Sequence, residues 1–271
     1  MSAPDSAFIG SIPNNYDRHM GPAMFAPYAA DLIKRIRIAE GGRVLEIAAG
    51  TGIVTRMLRR ALPASAEIVA TDLNQPMLDY ARQKSGDLDG LEWQQADAVA
   101  LPFPEASFDA VICQFGLMFV PDKALALREA RRVLRPGGQL LLNVWDSMAH
   151  NPFTLVTHEA VASFYAQDPP RFFAIPFGMS DRDELAALAD QAGFADIRVD
   201  TVKLPGESES AASLATGLVE GTPLSLAIAE RGTPTIGTIV AAVTAALAEL
   251  GGSAPLRFAM QAHILEARAP D

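Results

Sequence analysis

The chain has 271 residues, 49% of them apolar and 20% charged, which suits a folded globular protein and excludes a disordered or fibrous one. Its 22 Lys and Arg against 32 Asp and Glu give a formal net charge of -10, so no overall field draws in polyanions and no nucleic-acid partner is expected. The lone cysteine, Cys113, allows neither an intramolecular disulfide nor a multi-cysteine zinc site, as suits a reducing, cytoplasmic compartment.

Residues 1–6 show no basic region leading into an apolar run, so no secretory signal is expected. From Arg43 onward, short β-type runs alternate with helical ones. A strand over 44–47 precedes Ala48-Ala49-Gly50-Thr51-Gly52 and a helix over 53–62. A second strand over 67–72 leads to a helix from 75 or 76 to 84, with Pro76 in the first turn, where its missing N–H costs nothing. Strands follow at 91–96 and 108–114, the latter nearly all apolar, as for a strand buried on both faces. Asp122 is the expected N-cap of a helix that carries Arg131, Arg132 and Arg135 near its C-terminal end and stops at Pro136-Gly137-Gly138. A fifth strand covers 139–145. Ser180 is expected to cap a helix over 181–192 ended by Gly193, and the last strands lie at 197–204 and 257–267. The apolar stretch 237–250 is too short for a bilayer and reads as a buried helix, so no membrane association is expected. Strands alternating with helices imply a parallel sheet with right-handed crossovers. The simplest organisation is one domain over 1–271: a helical cover at 1–38, a core at 39–146, and helical insertions at 147–179 and 205–255. Helices expected at 207–220 and 236–250 would form a lid or a homodimer contact.

Ligands of open α/β sheets sit at the carboxyl ends of the strands. After the first strand, Ala48, Gly50 and Gly52 permit a tight turn and a close backbone approach. A dinucleotide fingerprint laid on this loop needs glycine at 48, 50 and 53; Ala48 and Ile53 break it. Glu46 would repel a pyrophosphate and suits a ligand bearing an ammonium group. Asp72, ending the second strand, can accept from both hydroxyls of a ribose, although a helix cap or a solvated turn explains most such aspartates. Asp97 can accept from an adenine amino group, with the Ala98 N–H serving a ring nitrogen. Gln114-Phe115-Gly116 brings backbone to the same cleft.

Together Glu46-x-Ala48-x-Gly50-Thr51-Gly52, Asp72, Ala96-Asp97, Leu101-Pro102-Phe103, Gln114-Phe115-Gly116 and Arg132 through Gly138 resemble the class I S-adenosylmethionine-dependent methyltransferases, nearest the quinone-biosynthesis C-methyltransferases and related small-molecule enzymes. The resemblance implies an α/β fold with a Rossmann-like seven-stranded, mostly parallel sheet, an antiparallel last strand and helical insertions. It implies S-adenosylmethionine as cofactor and S-adenosylhomocysteine as product. Glu46 and the loop Gly50, Thr51 and Gly52 would contact the methionine side; Asp72 would take the ribose; Asp97 and Ala98 would take the adenine, with Leu73 and Met77 packed on it; Ala48, Gln114 and Phe115 are further cofactor-binding candidates. The family usually has glycine where Ala48 stands, and alanine is tolerable there if its φ is negative. Arg132 to Gly138 would be structural.

A sulfonium leaves without protonation, so such an enzyme chiefly aligns acceptor, methyl carbon and sulfur and excludes water. Gln114-Phe115-Gly116-Leu117 lacks the Pro-Pro-aromatic sequence of amino-methylating DNA enzymes. Cys113, inside an apolar strand, reads as a core thiol and not a cytosine C5 nucleophile. Of the carboxylates a magnesium-dependent catechol enzyme needs, only Asp146 is in place, so no metal is expected. What remains is a small, partly apolar acceptor methylated on O, N or C. Tyr16, in a segment resembling the family's cofactor cover, is a candidate cofactor and acceptor contact, or simply a packed aromatic. The stretch after the fifth strand holds His150, Phe153, His158, Phe164, Tyr165, Phe172 and Phe173, either an acceptor pocket with His150 as base or a self-contained aromatic cluster. Two other functions are open: a non-catalytic S-adenosylmethionine-binding protein, and an NAD-linked dehydrogenase, which the glycine spacing disfavours.

Overall fold

A computed structural model describes residues 8–270. Helix α1 (Ile12–Asn15) runs into a π-helix, Tyr16–Phe25, and then α2 (Ala26–Arg35). Pro22, inside the π-helix, has no N–H to donate, and the wider turn shows in the bond from Ala26 N–H to the Gly21 carbonyl. The core follows as β1 (Arg43–Ile47), α3 (Ile53–Ala61), β2 (Glu67–Asp72), α4 (Gln75–Ser85), β3 (Leu91–Gln95), β4 (Phe108–Gln114), α5 (Lys123–Val133) and β5 (Leu134–Trp145). The remainder is α6 (Pro152–Ala162), α7 (Arg182–Gln191), β6 (Ala195–Ser208), α8 (Ala211–Glu220), α9 (Leu224–Arg231), α10 (Ile236–Gly251) and β7 (Leu256–Arg268). The seven strands form one sheet in the order β3-β2-β1-β4-β5-β7-β6. Pairings from β3 to β5 are parallel, and β7 runs antiparallel to both β5 and β6. The strand order reverses between β1 and β4, so the loops leaving these two strands diverge and open a crevice.

The sheet core is apolar on both faces: Val44, Leu45, Ile68, Val69, Val111, Ile112, Leu140 and Leu141 are all buried. Asp122 caps α5 as expected, its Oδ1 accepting Leu125 N–H at 2.8 Å, a bond of about 1 kcal/mol. Arg132 near the end of α5 donates to the carbonyls of Leu101 and Phe103 at 2.9 and 2.7 Å, and Glu129 accepts Leu101 N–H. The pair staples the Leu101-Pro102-Phe103 turn, a structural role.

Several boundaries differ from expectation. The α5 helix ends at Val133, and Leu134 already pairs with Phe108, because a bulge before Ala110 admits the Pro-Gly-Gly turn into strand β5. Ser180 does not cap α7: Asp181 does, its carboxylate accepting from Asp183 and Glu184 N–H, while the Ser180 carbonyl faces His263 Nε2 at 3.0 Å. Strand β6 extends to Ser208, paired with β7 continuously from Arg198, so α8 starts at Ala211 and not 207. Helix α10 is not wholly buried; Ile239, Val243 and Leu247 face the core, whereas Ala241, Ala245 and Glu249 are exposed, the four-residue spacing of one helical face. Among the described residues no single helix is long and apolar enough to cross a membrane.

The insertion helices are not remote from the crevice. Helix α8 packs on the π-helix and on α10, which packs on α6. A Cβ on Gly217 would lie 2.7 Å from Met20 Cγ, and one on Gly221 2.9 Å from Tyr16 N. These two glycines, four apart on one face of the segment, bring α8 against the backbone that carries Tyr16.

Candidate active site

A cleft of about 370 Å³ lies over the carboxyl ends of β1, β2, β3 and β4, the size of a small-ligand site. Tyr16, Ala48, Gly50, Asp72, Leu73, Met77, Asp97, Ala98, Gln114 and Phe115 all line it. A smaller pocket of about 30 Å³, continuous with these walls, adds Glu46 and Thr51 beneath Tyr16 and Phe25. Gly52 lines neither. Its Cβ would meet Ala81 and Trp93 at 3.0 Å, so its φ of +76° and lack of side chain serve the packing of α3 against α4 and β3. Gly50, at φ +55°, has no atom within 4 Å of a Cβ position and faces the open cleft.

Ala48 departs from expectation: its φ is +55°, a left-handed conformation that costs a non-glycine residue about 1–2 kcal/mol. Glycine at 116 gives its methyl room, since a Cβ there would collide with the Ala48 Cβ and lie 2.9 Å from Cys113 Sγ. Phe115 is also left-handed, at φ +50°. It is held by its N–H, which donates to Asn143 Oδ1 at 2.9 Å, and by stacking on Trp145 with centroids 3.9 Å apart. Two backbone outliers thus stand side by side on the cleft wall, at the ends of the neighbouring strands β1 and β4, where strain is most often retained for a ligand.

Asp72 is 7% exposed. Its Oδ2 accepts Gly50 N–H and its Oδ1 accepts Asn74 N–H, each at 2.8 Å, and burial pushes its pKa upward. The Asp97 Oδ1 accepts Val99 N–H at 3.1 Å, which fixes the carboxylate at the cleft's far end. Leu73 is 51% exposed at the rim and Met77 is buried below. Glu46 is buried with Thr55 Oγ1 donating to it at 2.6 Å; burial pushes its carboxyl up to about 8. In the same pocket Thr51 Oγ1 and Gln114 Oε1 are buried without a hydrogen-bond partner, the condition of polar atoms that await a ligand. A ligand with an ammonium and hydroxyl-bearing rings therefore fits these residues: carboxylates, a free amide oxygen and an open glycine face the space it would fill.

A third cavity, about 50 Å³ and apolar, adjoins the cleft and shares Phe8, Tyr16, Phe115 and Phe119 with it. Its other walls include Met20, Met24, Met118, Trp145, Phe172, Phe173, Phe177 and Leu218, with no charged side chain. Tyr16, stacked on Phe25 with centroids 4.6 Å apart, lines all three spaces; burial raises the pKa of its phenol, which stays protonated. His150 does not join them. It is exposed, its Nδ1 is 3.1 Å from Asp146 Oδ2, and neither it nor His158 lines these cavities. Cys113 is a core thiol, pushed up to about 12 by burial. Among the described residues no group of three or more His, Cys, Asp or Glu could hold a metal ion.

Sequence reading missed Asn74, Phe8 and Phe119. Asn74 had a signal: two residues after Asp72 and just before a helix starting at 75, its N–H had no helical partner and was free to turn back to the carboxylate. Phe8 and Phe119 reach the cleft only through the tertiary fold.

A family model for a methyltransferase domain matches residues 45–142. The chain is 38% identical over 174 residues to the ubiquinone/menaquinone biosynthesis C-methyltransferase of Hahella chejuensis, covering 59% of this chain and 70% of that protein. Solved structures share the fold at low identity. A putative methyltransferase from Bacillus halodurans aligns with TM-score 0.57 and 20% identity, over 90% of this chain and 99% of that one. A Haemonchus contortus phosphoethanolamine N-methyltransferase, in complex with phosphomonomethylethanolamine and S-adenosylhomocysteine, aligns with TM-score 0.61 and 17% identity over 96% of this chain and 57% of its own. With the order of motifs, the sheet and the sequence identity in agreement, the chain belongs to the S-adenosylmethionine-dependent methyltransferases and is similar to the quinone-biosynthesis C-methyltransferases.

Proposed function

We propose that this enzyme transfers the methyl group by in-line displacement to a small, largely apolar acceptor seated in the aromatic chamber. The observation that carries this reading is the position of Tyr16, which walls the cleft, the small pocket under Glu46 and the chamber at once. Bound S-adenosylmethionine supplies an electrophilic methyl on a sulfonium that leaves without protonation. Asp72 takes the ribose hydroxyls, Asp97 and the Ala98 N–H take the adenine, and Leu73 and Met77 cover its ring. Glu46, Thr51, Gln114 and the Ala48–Gly50 backbone hold the methionine end. Tyr16, protonated and pressed on Phe25, positions the acceptor as a hydrogen-bond donor and keeps water from the junction.

The chamber's charge-free wall favours a neutral acceptor, because an unpaired ammonium or carboxylate there loses several kcal/mol of hydration. At about 50 Å³ it takes the reacting end of the acceptor, since even benzene occupies a cavity of about 150 Å³. With no histidine in its wall, the acceptor brings a nucleophile that is already electron-rich. The single buried thiol and the acidic surface fit a cytoplasmic setting. A screen of neutral aromatic and alicyclic nucleophiles with methyl-labelled S-adenosylmethionine tests this, and label should pass to a neutral acceptor. Tight S-adenosylhomocysteine binding without turnover across the screen would overturn this acceptor reading.

A further inference from the structure

The π-helix is fastened differently on its two sides. Toward α8 it packs Met20 and His19 on Gly217 and its own backbone on Gly221, with one hydrogen bond between His19 Nδ1 and Ser213 Oγ at 2.8 Å. Toward the cofactor-binding core Gln114 Nε2 donates to the Phe25 carbonyl at 3.2 Å, and the charged contacts converge on one carboxylate, Asp17, which is 12% exposed and lies next to Tyr16. Arg56 Nη2 of α3 approaches Asp17 Oδ1 at 3.4 Å, the Tyr80 hydroxyl of α4 donates to Oδ2 at 3.2 Å, and Lys84 Nζ stands 3.8 Å away. Arg56 also donates through Nη1 to the Thr51 carbonyl at 2.6 Å, so a single guanidinium joins the glycine loop to the cover. The small pocket under this cover is walled by Tyr16, Phe25 and Ile53, so displacement of the roof widens the way out of it. Asp17 lines none of the cavities.

We propose that Asp17 is the latch of this roof, a positioning residue that keeps Tyr16 closed over the methionine end of the cofactor and sets how long the cofactor stays. The inference rests on the reading that the cleft holds S-adenosylmethionine. A carboxylate shared by a guanidinium and a phenol is stronger than a surface ion pair, and its loss leaves the roof held on the core side only by the Gln114–Phe25 bond and apolar packing. The latch acts on opening, so its removal speeds release and leaves capture nearly unchanged. The test is release of tritiated S-adenosylhomocysteine from preloaded protein into excess unlabelled ligand. Asp17→Asn should release about tenfold faster with association changed less than about twofold, Tyr80→Phe should fall between it and the parent protein, and Asp17→Glu should recover part of the effect. Added salt should speed release from the parent protein and not from Asp17→Asn. Equal release from Asp17→Asn and parent, or a weakened affinity that resides in the association rate, overturns the latch. Should Asp17→Asn fail to fold, Tyr80→Phe decides, and unchanged release there overturns it. A parent protein that binds no S-adenosylhomocysteine removes the cofactor reading and the latch with it, whereas binding with unaltered release removes the latch alone.

Discussion

Asp72 and Glu46 stand one strand apart and are both buried, yet their surroundings give them different work. Asp72 is bonded by Gly50 and Asn74 N–H groups, which orient it and leave lone pairs for hydroxyl donors. Replacing it with alanine strands those two N–H groups as well as the ligand's hydroxyls. Asp72→Ala should weaken S-adenosylhomocysteine binding by about 1–3 kcal/mol, read by calorimetry; an unchanged dissociation constant takes Asp72 out of the site. Glu46 is bonded by Thr55, whose hydroxyl donates to it at 2.6 Å, and burial pushes its carboxyl up to about 8, with Asp72 raising it further and Arg56 and the Thr55 bonds lowering it. The free folded protein therefore keeps that proton up to about pH 8, whereas the unfolded chain gives it up above the ordinary carboxylate value of about 4.5. Between those limits the folded state binds more protons, so Glu46 lowers stability as pH rises through the window. A ligand ammonium favours the ionised form. Affinity for S-adenosylhomocysteine should climb from pH 6 toward pH 8 with proton release, seen as a buffer-dependent binding heat, and Glu46→Gln should flatten that slope.

The cover shows how elements assemble the site. The π-helix is inserted between α8 and the α3–α4 side of the core, and small residues permit the first contact. Gly217→Val would drive a branched side chain into Met20 and His19, where even a Cβ lies 2.7–2.8 Å from side-chain atoms. Overpacking of this kind costs about 1–3 kcal/mol, more than the few tenths gained in helix propensity. The melting temperature should fall and proteolysis near residues 8–25 should quicken. Gly237→Ala on α10, which meets no atom within 4 Å, serves as the control and should be neutral or stabilising. Equal melting of both variants would show that the α8 contact bears no load.

At the scale of the molecule, one apolar core runs from the cover through the sheet to the insertion helices, joining Met20, Tyr28, Leu45, Ile112, Trp145, Leu218, Val243 and Ile264. The 205–255 region contributes to this core and does not build one of its own. We expect far-ultraviolet and near-ultraviolet circular dichroism to trace the same urea transition, the behaviour of a single cooperative unit. Two separated transitions would make the insertion an independent domain.

The sequence by itself determined what periodicity and turn chemistry encode: strands alternating with helices, the glycine loop after β1, acidic residues at the tips of β2 and β3, and so the region where a ligand would sit. Those signals are local, because an apolar run or a strand-end aspartate is read within a few residues. Tertiary structure alone decided which neighbours meet. Gly50 faces the cleft while Gly52, two residues on, is consumed in packing; Ala48 is left-handed because Gly116, 68 positions later, leaves room for its methyl. His150 turns to Asp146 and away from the cavities, and α8 reaches back across the chain to seat Tyr16. Each of these depends on contacts between segments far apart in sequence, which no pattern within one segment carries.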